Sequence, residues 1–202
     1  MGFTGIALVA GIVLGLVTGG RPRNITLRPL RGAGALGGAV ILQAVPQLLD
    51  VSGTTGLACV LGSYVLLVAF ALANVRLVGM PVVLVGLVLN VVVIGLNGGM
   101  PVRAEAIHTV DRNAKLEQID FGAKRHLEDE DDKLTFLGDV LPVAPIGQVL
   151  SFGDLILSAG VANVVFRLLK PAGVVRRGRR RTVAEVVAML PAVTVTEVPN
   201  RA

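Results

Sequence analysis

The charged residues of this chain are confined to a few stretches, and the sequence between them is apolar. Residues 103–139 and 170–181 are dense in charge, whereas long stretches elsewhere contain none. Only 16% of the residues are charged, compared with about 25% in an ordinary soluble domain. The mean hydropathy is +0.74. This separation of charge from apolar sequence predicts an integral membrane protein that crosses the bilayer several times.

Five apolar segments predict an all-α membrane bundle of about five transmembrane helices. The first segment also has a small residue at every fourth position, a pattern that favours close packing of one helix against another. The segments are approximately residues 3–18, 33–49, 56–75, 77–96 and 146–169, and the small residues are Ala7, Gly11, Gly15 and Gly19.

The distribution of Arg and Lys predicts the orientation, because cytoplasmic loops carry an excess of these residues. The loop after the first segment contains four arginines and no acidic residue, and Arg76 lies in the short turn between the third and fourth segments. The loop at 97–144 has ten acidic residues against six basic ones, which suits the outer side. We therefore expect a multi-pass protein of the cell membrane, with its N-terminus outside and its C-terminus in the cytoplasm.

The same pattern divides the chain into two regions. Residues 1–169 are predicted to form the transmembrane domain, including the outer loop 97–144, and residues 170–202 a basic, partly disordered cytoplasmic tail. The sequence pI of about 10.1 does not indicate a nucleic-acid partner, because the basic residues lie at membrane borders. We expect membrane lipids as partners, with anionic lipid at the tail arginines, and either a homo-oligomer or a membrane partner protein. The tail arginines are Arg176, Arg177, Arg179, Arg180 and Arg181.

Cysteine usage and ligand spacing give no sign of a cofactor or a metal. Cys59 is the only cysteine, so an intrachain disulfide and a cysteine-based metal site are both excluded. Two carboxylates and His126 could in principle hold a divalent ion, but a close ligand spacing is missing. We predict neither a metal nor a cofactor.

Polar residues at helical spacing predict a site at the outer end of three helices. Side chains within lipid need polar partners, so the three stripes are expected to face each other or a water-filled pocket. The alternative is that they form interhelical hydrogen bonds that only hold the bundle together. The stripes are Gln43, Gln47 and Asp50; Asn90 and Asn97; and Ser151, Asp154 and Ser158.

Asp154 is the most informative of these residues, because a carboxylate inside an apolar helix is costly to bury. It is expected either to be ionised and paired with a cation, or to be protonated and to act as a proton relay. Arg103, His108 and His126 are the candidate partners on the outer side. The sequence does not distinguish these possibilities.

Three motifs together resemble a known family. NGGMPV at 97–102 closes a hydrophobic segment, LGD ends at Asp139, and SFGD begins at Ser151, before the last helix. This ordered set is similar to an uncharacterised family of small bacterial multi-pass membrane proteins, and the similarity covers about residues 6–169. The resemblance implies no activity, but it implies that the following positions are characteristic: Asn97, Gly98, Gly99, Pro101, His126, Asp139, Ser151, Gly153 and Asp154.

The NGGMPV motif also has a direct physical interpretation. Gly98 and Gly99 allow a sharp turn off the helix, where glycine tolerates a positive φ angle, and Pro101 prevents the helix from continuing. Asn97 can hydrogen-bond the freed carbonyls or the backbone of a loop. The simpler alternative is that this motif is only an efficient helix stop.

Three functions are compatible with these features. The first is a binding or accessory membrane protein whose outward-facing polar site, including Gln47, holds a small ligand, a lipid headgroup or a partner helix without chemistry. The second is a proton-linked transporter or permease component that uses Asp154. The third is a membrane-embedded enzyme, in which His126, Asp139 and Asp154 would act as acid and base or as metal ligands. We favour the first and regard an enzyme as the least supported.

Overall fold

The computed structural model describes residues 2–27, 29–119 and 121–171, and helices account for most of this part of the chain. The predicted arginine loop includes Arg28, which lies outside the described residues. The six helices are α1 (Phe3–Val17), α2 (Ala33–Leu48), α3 (Gly53–Ala73), α4 (Met80–Asn97), α5 (Ala104–Val110) and α6 (Phe152–Leu169).

Three of these helices, α3, α4 and α6, are long and apolar enough to cross a membrane by length and composition. Helices α1 and α2 are apolar but shorter, with 15 and 16 residues. The remaining helix, α5, has only 7 residues and lies within the polar region that follows α4. The sequence therefore placed all five apolar helices, although two of them fall short of a full membrane span of about 20 residues.

The five apolar helices pack in the order α1–α6–α4–α3–α2, as an arc. The two ends of the arc, α1 and α2, share no extensive contact within the described residues. The most deeply buried apolar side chains come from the middle of the arc, where Leu87, Val93 and Ile94 of α4 are almost inaccessible to solvent. Burial of these side chains supplies the main favourable free energy of packing in water, and close van der Waals contact does so in lipid.

Small residues determine how closely α6 approaches its two neighbours. A Cβ atom added at Gly11 of α1 would lie 2.6 Å from the carbonyl oxygen of Ala162, and one at Gly15 would lie 2.6 Å from Leu169 Cδ1. On the other side, a Cβ added at Gly86 of α4 would lie 2.5 Å from the backbone nitrogen of Leu157. The predicted small-residue face of the first helix is thus confirmed at Gly11 and Gly15, which pack against α6.

One end of the arc, which we call the basic end, is held by two asparagines. Asn24 donates from Nδ2 to the carbonyl oxygen of Leu169 at 2.7 Å, and so caps the last turn of α6. Asn74, at the end of α3, accepts from the backbone N–H of Arg31 at 2.9 Å and donates to its carbonyl oxygen at 2.7 Å. These bonds connect the segment between α1 and α2 to the ends of α6 and α3. The described basic residues at this end are Arg21, Arg23, Arg31, Arg76, Arg167 and Lys170.

The opposite end, the loop end, carries residues 98–151, and its described residues form four short strands. The strands are β1 (Met100–Val102), β2 (Arg125–Leu127), β3 (Leu141–Val143) and β4 (Gln148–Leu150). β1 pairs with β2 in parallel, and β3 pairs with β4 antiparallel. The prediction of an all-α chain was incomplete here, because three-residue strands carry too little periodicity to be recognised.

The last helix begins later than predicted. Residues 144–146 form a single 3₁₀ turn, β4 follows, and α6 starts only at Phe152 instead of at Ile146. The reason is that Gln148–Leu150 hydrogen-bonds to β3 instead of continuing into the helix. The sequence suggested that Asp154 lies inside an apolar helix. In the structure it lies in the first turn of α6 instead.

The chain as far as Pro171 forms one compact unit. The predicted basic tail at 170–202 falls almost entirely beyond this residue, and its arginines from Arg176 to Arg181 lie outside the described residues.

Candidate functional site

A cavity of about 480 Å³ lies between the five apolar helices. Its walls are almost entirely apolar, but five polar residues line it from the first turns of α1 and α6, from α2, from α3 and from the loop end. We call these residues the polar end of the cavity: Thr4, Gln43, Tyr64, Lys124 and Asp154. The apolar wall is formed by Leu8, Leu30, Leu36, Leu67, Phe70, Met80, Val83, Leu87, Leu157, Val161, Val164, Val165 and Leu168.

Asp154 is held in place by a buried hydrogen-bond network between α4 and α6. Asn90 donates from Nδ2 to Asp154 Oδ1 at 2.7 Å, and Ser151 donates from Oγ to Asn90 Oδ1 at 3.1 Å. The backbone N–H of Asp154 donates in turn to Ser151 Oγ at 3.0 Å, so Ser151 is the N-cap of α6. A Cβ atom at Gly153 would overlap Asn90 Oδ1, which explains why this network requires glycine there.

This network brings together two of the three predicted polar stripes. Asn90, Ser151 and Asp154 are joined directly, and Ser158 lies 3.1 Å from Thr4 Oγ1 at the start of α1. The third stripe behaves differently: Gln43 and Gln47 are both exposed, but only Gln43 lines the cavity.

Lys124 is the cation of the cavity. Its Nζ lies 5.6 Å from the centre of the Tyr64 ring, within the range of a cation–π contact. Burial alone would lower the pKa of Lys124, but the attraction of Tyr64 and Asp154 outweighs this effect, and the pKa lies above its ordinary value. Lys124 therefore carries its positive charge at neutral pH and faces the same space as Asp154.

The partners proposed for Asp154 from the sequence are engaged elsewhere. Arg103 Nε lies 3.1 Å from Glu128 Oε2, and His126 Nε2 lies 2.9 Å from Asp132 Oδ1. His108 is exposed on α5. The prediction of these partners was wrong because sequence order does not reveal that β2 carries the neighbouring Lys124 to the mouth of the cavity.

Arg125, the residue after Lys124, forms a charged pair with Asp139. Arg125 Nε approaches Asp139 Oδ2 to 2.7 Å, at an angle that makes this an ion pair without a well-formed hydrogen bond. The Asp139 side chain is 1% exposed, and burial raises its pKa to about 6 despite the opposing effect of Arg125. Its backbone is attached to β1, since its N–H donates to Pro101 O at 2.9 Å.

The NGGMPV motif is the junction between α4 and the loop end. Asn97 exchanges two hydrogen bonds of 2.8 Å with the backbone of Lys133, as its predicted role in binding a loop backbone requires. Gly98 has a φ angle of 67°, which confirms the predicted turn. A Cβ at Gly99 would lie 2.7 Å from His126 Nδ1. The motif thus ends α4 and also starts β1, in which Pro101 is opposite His126.

The predicted site residues therefore fall into two groups. Ser151, Gly153 and Asp154 form or border the polar end of the cavity, whereas the residues from the loop end build its scaffold and do not line the cavity. This second group consists of Asn97, Gly98, Gly99, Pro101, His126 and Asp139.

Three polar lining residues, Thr4, Tyr64 and Lys124, were not predicted as part of the site. Lys124 sits in a loop without periodicity, so no local signal pointed to it. Tyr64 is the only tyrosine of the chain, and its isolation within the apolar sequence of α3 was a signal that could have been used, because Tyr hydroxyls in apolar surroundings usually have a partner.

A second crevice, also of about 480 Å³, lies at the loop end. It is lined by α5 and by loop residues, including Asp111 and Lys115, and shares no lining residue with the interhelical cavity. Within the described residues, no three His, Cys, Asp or Glu side chains gather as a metal site. Because a fixed set of buried polar groups is typical of a binding site, we place the candidate site in the interhelical cavity.

These features describe a mostly helical protein with three helices compatible with membrane crossing and a cavity between them. The model of DUF5317, a family of unknown function, matches residues 30–166. The chain belongs to this family. The match begins after α1, so it is shorter than the range over which the motifs suggested a resemblance. Comparison with curated proteins and with solved structures produced no match.

Proposed function

We propose that this chain is a membrane protein with five spans whose function is to bind a ligand in the interhelical cavity, from the outer side. The observation that carries this proposal is the cavity itself, with charged and polar groups at one end and apolar walls elsewhere. Binding sites for small molecules typically have this composition, and volumes of roughly 300–1,000 Å³. A binding or accessory role requires only this cavity and its polar end, without a catalytic group.

The exposed surface of the short helices supports five spans instead of three. Val13 and Val17 of α1 are 50% and 79% exposed, and Val40 and Ile41 of α2 are 61% and 64% exposed. Such surfaces are costly in water but not in lipid. Helices of this length reach about 23 Å, and the bilayer can adapt to such a short span at modest cost.

The charges at the two ends support the orientation. The described part of the basic end carries arginine and lysine without an acidic residue, whereas the acidic side chains cluster at the loop end. Under the positive-inside rule, the basic end is cytoplasmic, and the loop end with the polar end of the cavity is outside.

The buried network supports recognition. Asp154 is fixed by Asn90 and by the helix cap, so its position is set before a ligand arrives. Fixed groups bind with a smaller loss of conformational entropy. Both a proton-linked transporter and a membrane enzyme would also need Asp154, but as a group that changes its protonation state.

Native mass spectrometry of the protein extracted in a mild detergent tests the proposal. We expect the wild type to retain a ligand of defined mass, and the Val161→Phe variant to lose it because the added ring fills the cavity. Val85→Phe is the matched control, since Val85 is 52% exposed on α4. A ligand-free wild type, or equal occupancy in Val161→Phe, would contradict a binding function. Proton flux in proteoliposomes that Asp154→Asn abolishes would favour the transporter instead.

A further inference from the structure

The apolar wall of the cavity extends along one face of α6. Lining residues recur from Asp154 through Leu157, Val161 and Val164 to Leu168, the spacing of one helix face. The distance from Asp154 to Leu168 along the helix axis is about 21 Å. This exceeds half of a hydrocarbon core of about 30 Å. The wall is therefore long enough for an acyl chain that reaches the middle of the bilayer.

The cavity has a side that the arc of helices does not close. Its lining includes Thr4 and Leu8 of α1 and Leu36 and Gln43 of α2, yet α1 and α2 do not pack extensively on each other in the described chain. Both helices present apolar side chains at their surfaces, among them Leu8 at 40% exposure. In a bilayer, this gap faces lipid and not water, so a molecule with an apolar chain can enter from the side.

The polar end offers one cation and one anion that are not bound to each other. Among the described residues, Lys124 Nζ has no carboxylate oxygen within the 4.0 Å of an ion pair, although Asp154 attracts it through space. Asp154 Oδ1 is occupied by Asn90, whereas Oδ2 accepts no hydrogen bond from the described residues. The site thus presents a positive donor and, beside it, a free carboxylate acceptor.

We infer that the cavity binds a glycerophospholipid of the outer leaflet, which enters between α1 and α2 and whose headgroup combines a phosphate with a hydrogen-bond donor. The phosphate contacts Lys124, the hydroxyl or ammonium group of the headgroup contacts Asp154 Oδ2, and one acyl chain lies along α6. This inference rests on the proposed function, because it names the class of ligand for the same cavity.

The chemistry of the polar end separates this ligand class from others. A soluble anion would leave the long apolar wall unfilled, and a fatty acid has no donor for Asp154 at neutral pH. Phosphatidylglycerol supplies hydroxyl donors and phosphatidylethanolamine supplies an ammonium donor, whereas the choline headgroup of phosphatidylcholine has no N–H or O–H. The three lipids therefore differ in whether the headgroup can donate a hydrogen bond to Asp154 Oδ2.

Photo-crosslinking in nanodiscs tests the inference. The probes are phosphatidylglycerol, phosphatidylethanolamine and phosphatidylcholine, each with a diazirine on one acyl chain, and crosslinked residues are located by peptide mass spectrometry. We expect the first two lipids to label Leu157 or Val161, inside the cavity, roughly tenfold more than phosphatidylcholine does, the effect of one charged hydrogen bond. All three should label Val85 equally, because its exposed surface lies outside the cavity and faces bulk lipid.

Two variants examine the headgroup and the chain separately. Lys124→Gln keeps a polar side chain but removes the charge, so labelling inside the cavity by phosphatidylglycerol should fall by roughly tenfold. Val161→Phe should abolish that labelling for every probe, and Val85→Phe should leave it unchanged. Size-exclusion profiles identical to the wild type show that a loss of labelling is not a loss of folding.

The outcomes distinguish this inference from the proposed function. Equal cavity labelling by all three lipids, or labelling insensitive to Lys124→Gln, would overturn the headgroup assignment. If no lipid labels the cavity but native mass spectrometry still detects another ligand that Val161→Phe removes, the lipid inference is wrong and the binding function stands. If neither method detects an occupant, both are wrong.

Discussion

Among the described residues of the loop end, Asp139 has the most deeply buried carboxylate, and its charge is costly to the fold. Its side chain is 1% exposed, and burial raises its pKa from 3.8 to about 6, more than Arg125 lowers it. Between about pH 4 and pH 6, the folded protein therefore binds more protons here than the unfolded chain. Stability contributed by this group is present at low pH and is lost as the pH rises through 6.

The Asp139→Asn variant makes this effect measurable. It remains neutral at every pH, so the free energy of unfolding of the wild type should fall relative to the variant by roughly 2–3 kcal/mol between pH 4 and pH 7. Thermal unfolding of both proteins in detergent at several pH values gives this difference. The loss of the Arg125 partner adds a constant offset and leaves the slope intact.

Glu117→Gln is the control for that comparison, because Glu117 is exposed. Its melting temperature should follow the wild type at all pH values. A difference between the wild type and Asp139→Asn that does not change with pH would contradict the assignment of the raised pKa to Asp139.

At the scale of elements, the crossing of α4 and α6 is the contact that positions the site. We predict that Gly153→Ala destabilises the protein by roughly 1–3 kcal/mol, as overpacking does. The added methyl group would displace Asn90 Oδ1, and the hydrogen bonds that join Asn90 to Ser151 and Asp154 would break. The melting temperature in detergent measures this loss.

Gly95→Ala on α4 is the matched control, since a Cβ at Gly95 meets no atom within 4 Å. This substitution should leave the melting temperature unchanged or raise it slightly, because alanine favours the helix. If Gly153→Ala were equally harmless, the close approach of the two helices would not be what stabilises the site.

The sequence predicted these helices well, and for identifiable reasons. Apolar segments located all five apolar helices, the glycines of α1 predicted the face that meets α6, and Asn97 with Gly98 predicted where α4 stops. Each of these signals is local: a few residues that are close together in the sequence determine the structure at that point.

The loop end was not predicted, because its structure depends on distant pairs. β1 and β2 have three residues each and come from positions separated by more than twenty residues. Their pairing brings Lys124 to the cavity, and β4 delays the start of α6, which moves Asp154 into the capping turn. Within the polar stripes, helical spacing identified Asn90, Ser151 and Asp154 correctly as neighbours but could not exclude the exposed Gln47.

For the whole molecule, the decisive question is the orientation in the membrane. In a Cys59→Ala background, we predict that a cysteine at Glu117 reacts with a membrane-impermeant maleimide added to intact cells. A cysteine at Thr26, exposed near the basic end, should react only after permeabilisation. This substitution preserves the arginines that determine orientation.

Labelling is read out as the mass increase of the purified protein. The Cys59→Ala protein without an added cysteine serves as the blank. Labelling at Thr26→Cys but not at Glu117→Cys in intact cells would show that the orientation is the opposite of the predicted one. Labelling of both in intact cells would show that five spans do not separate the two ends.

The parallel pair β1–β2 has a consequence for how this molecule can vary. The backbone N–H of Met100 donates to Lys124 O at 2.7 Å, and that of Glu128 donates to Val102 O at 2.9 Å. The chain between the two strands therefore leaves and returns at fixed points. A change of length in the exposed part of this stretch, after α5, would leave the backbone bond between Met100 and Lys124 in place. The segment between β1 and β2 is therefore a suitable place to insert an epitope or a rigid marker domain for imaging a protein this small.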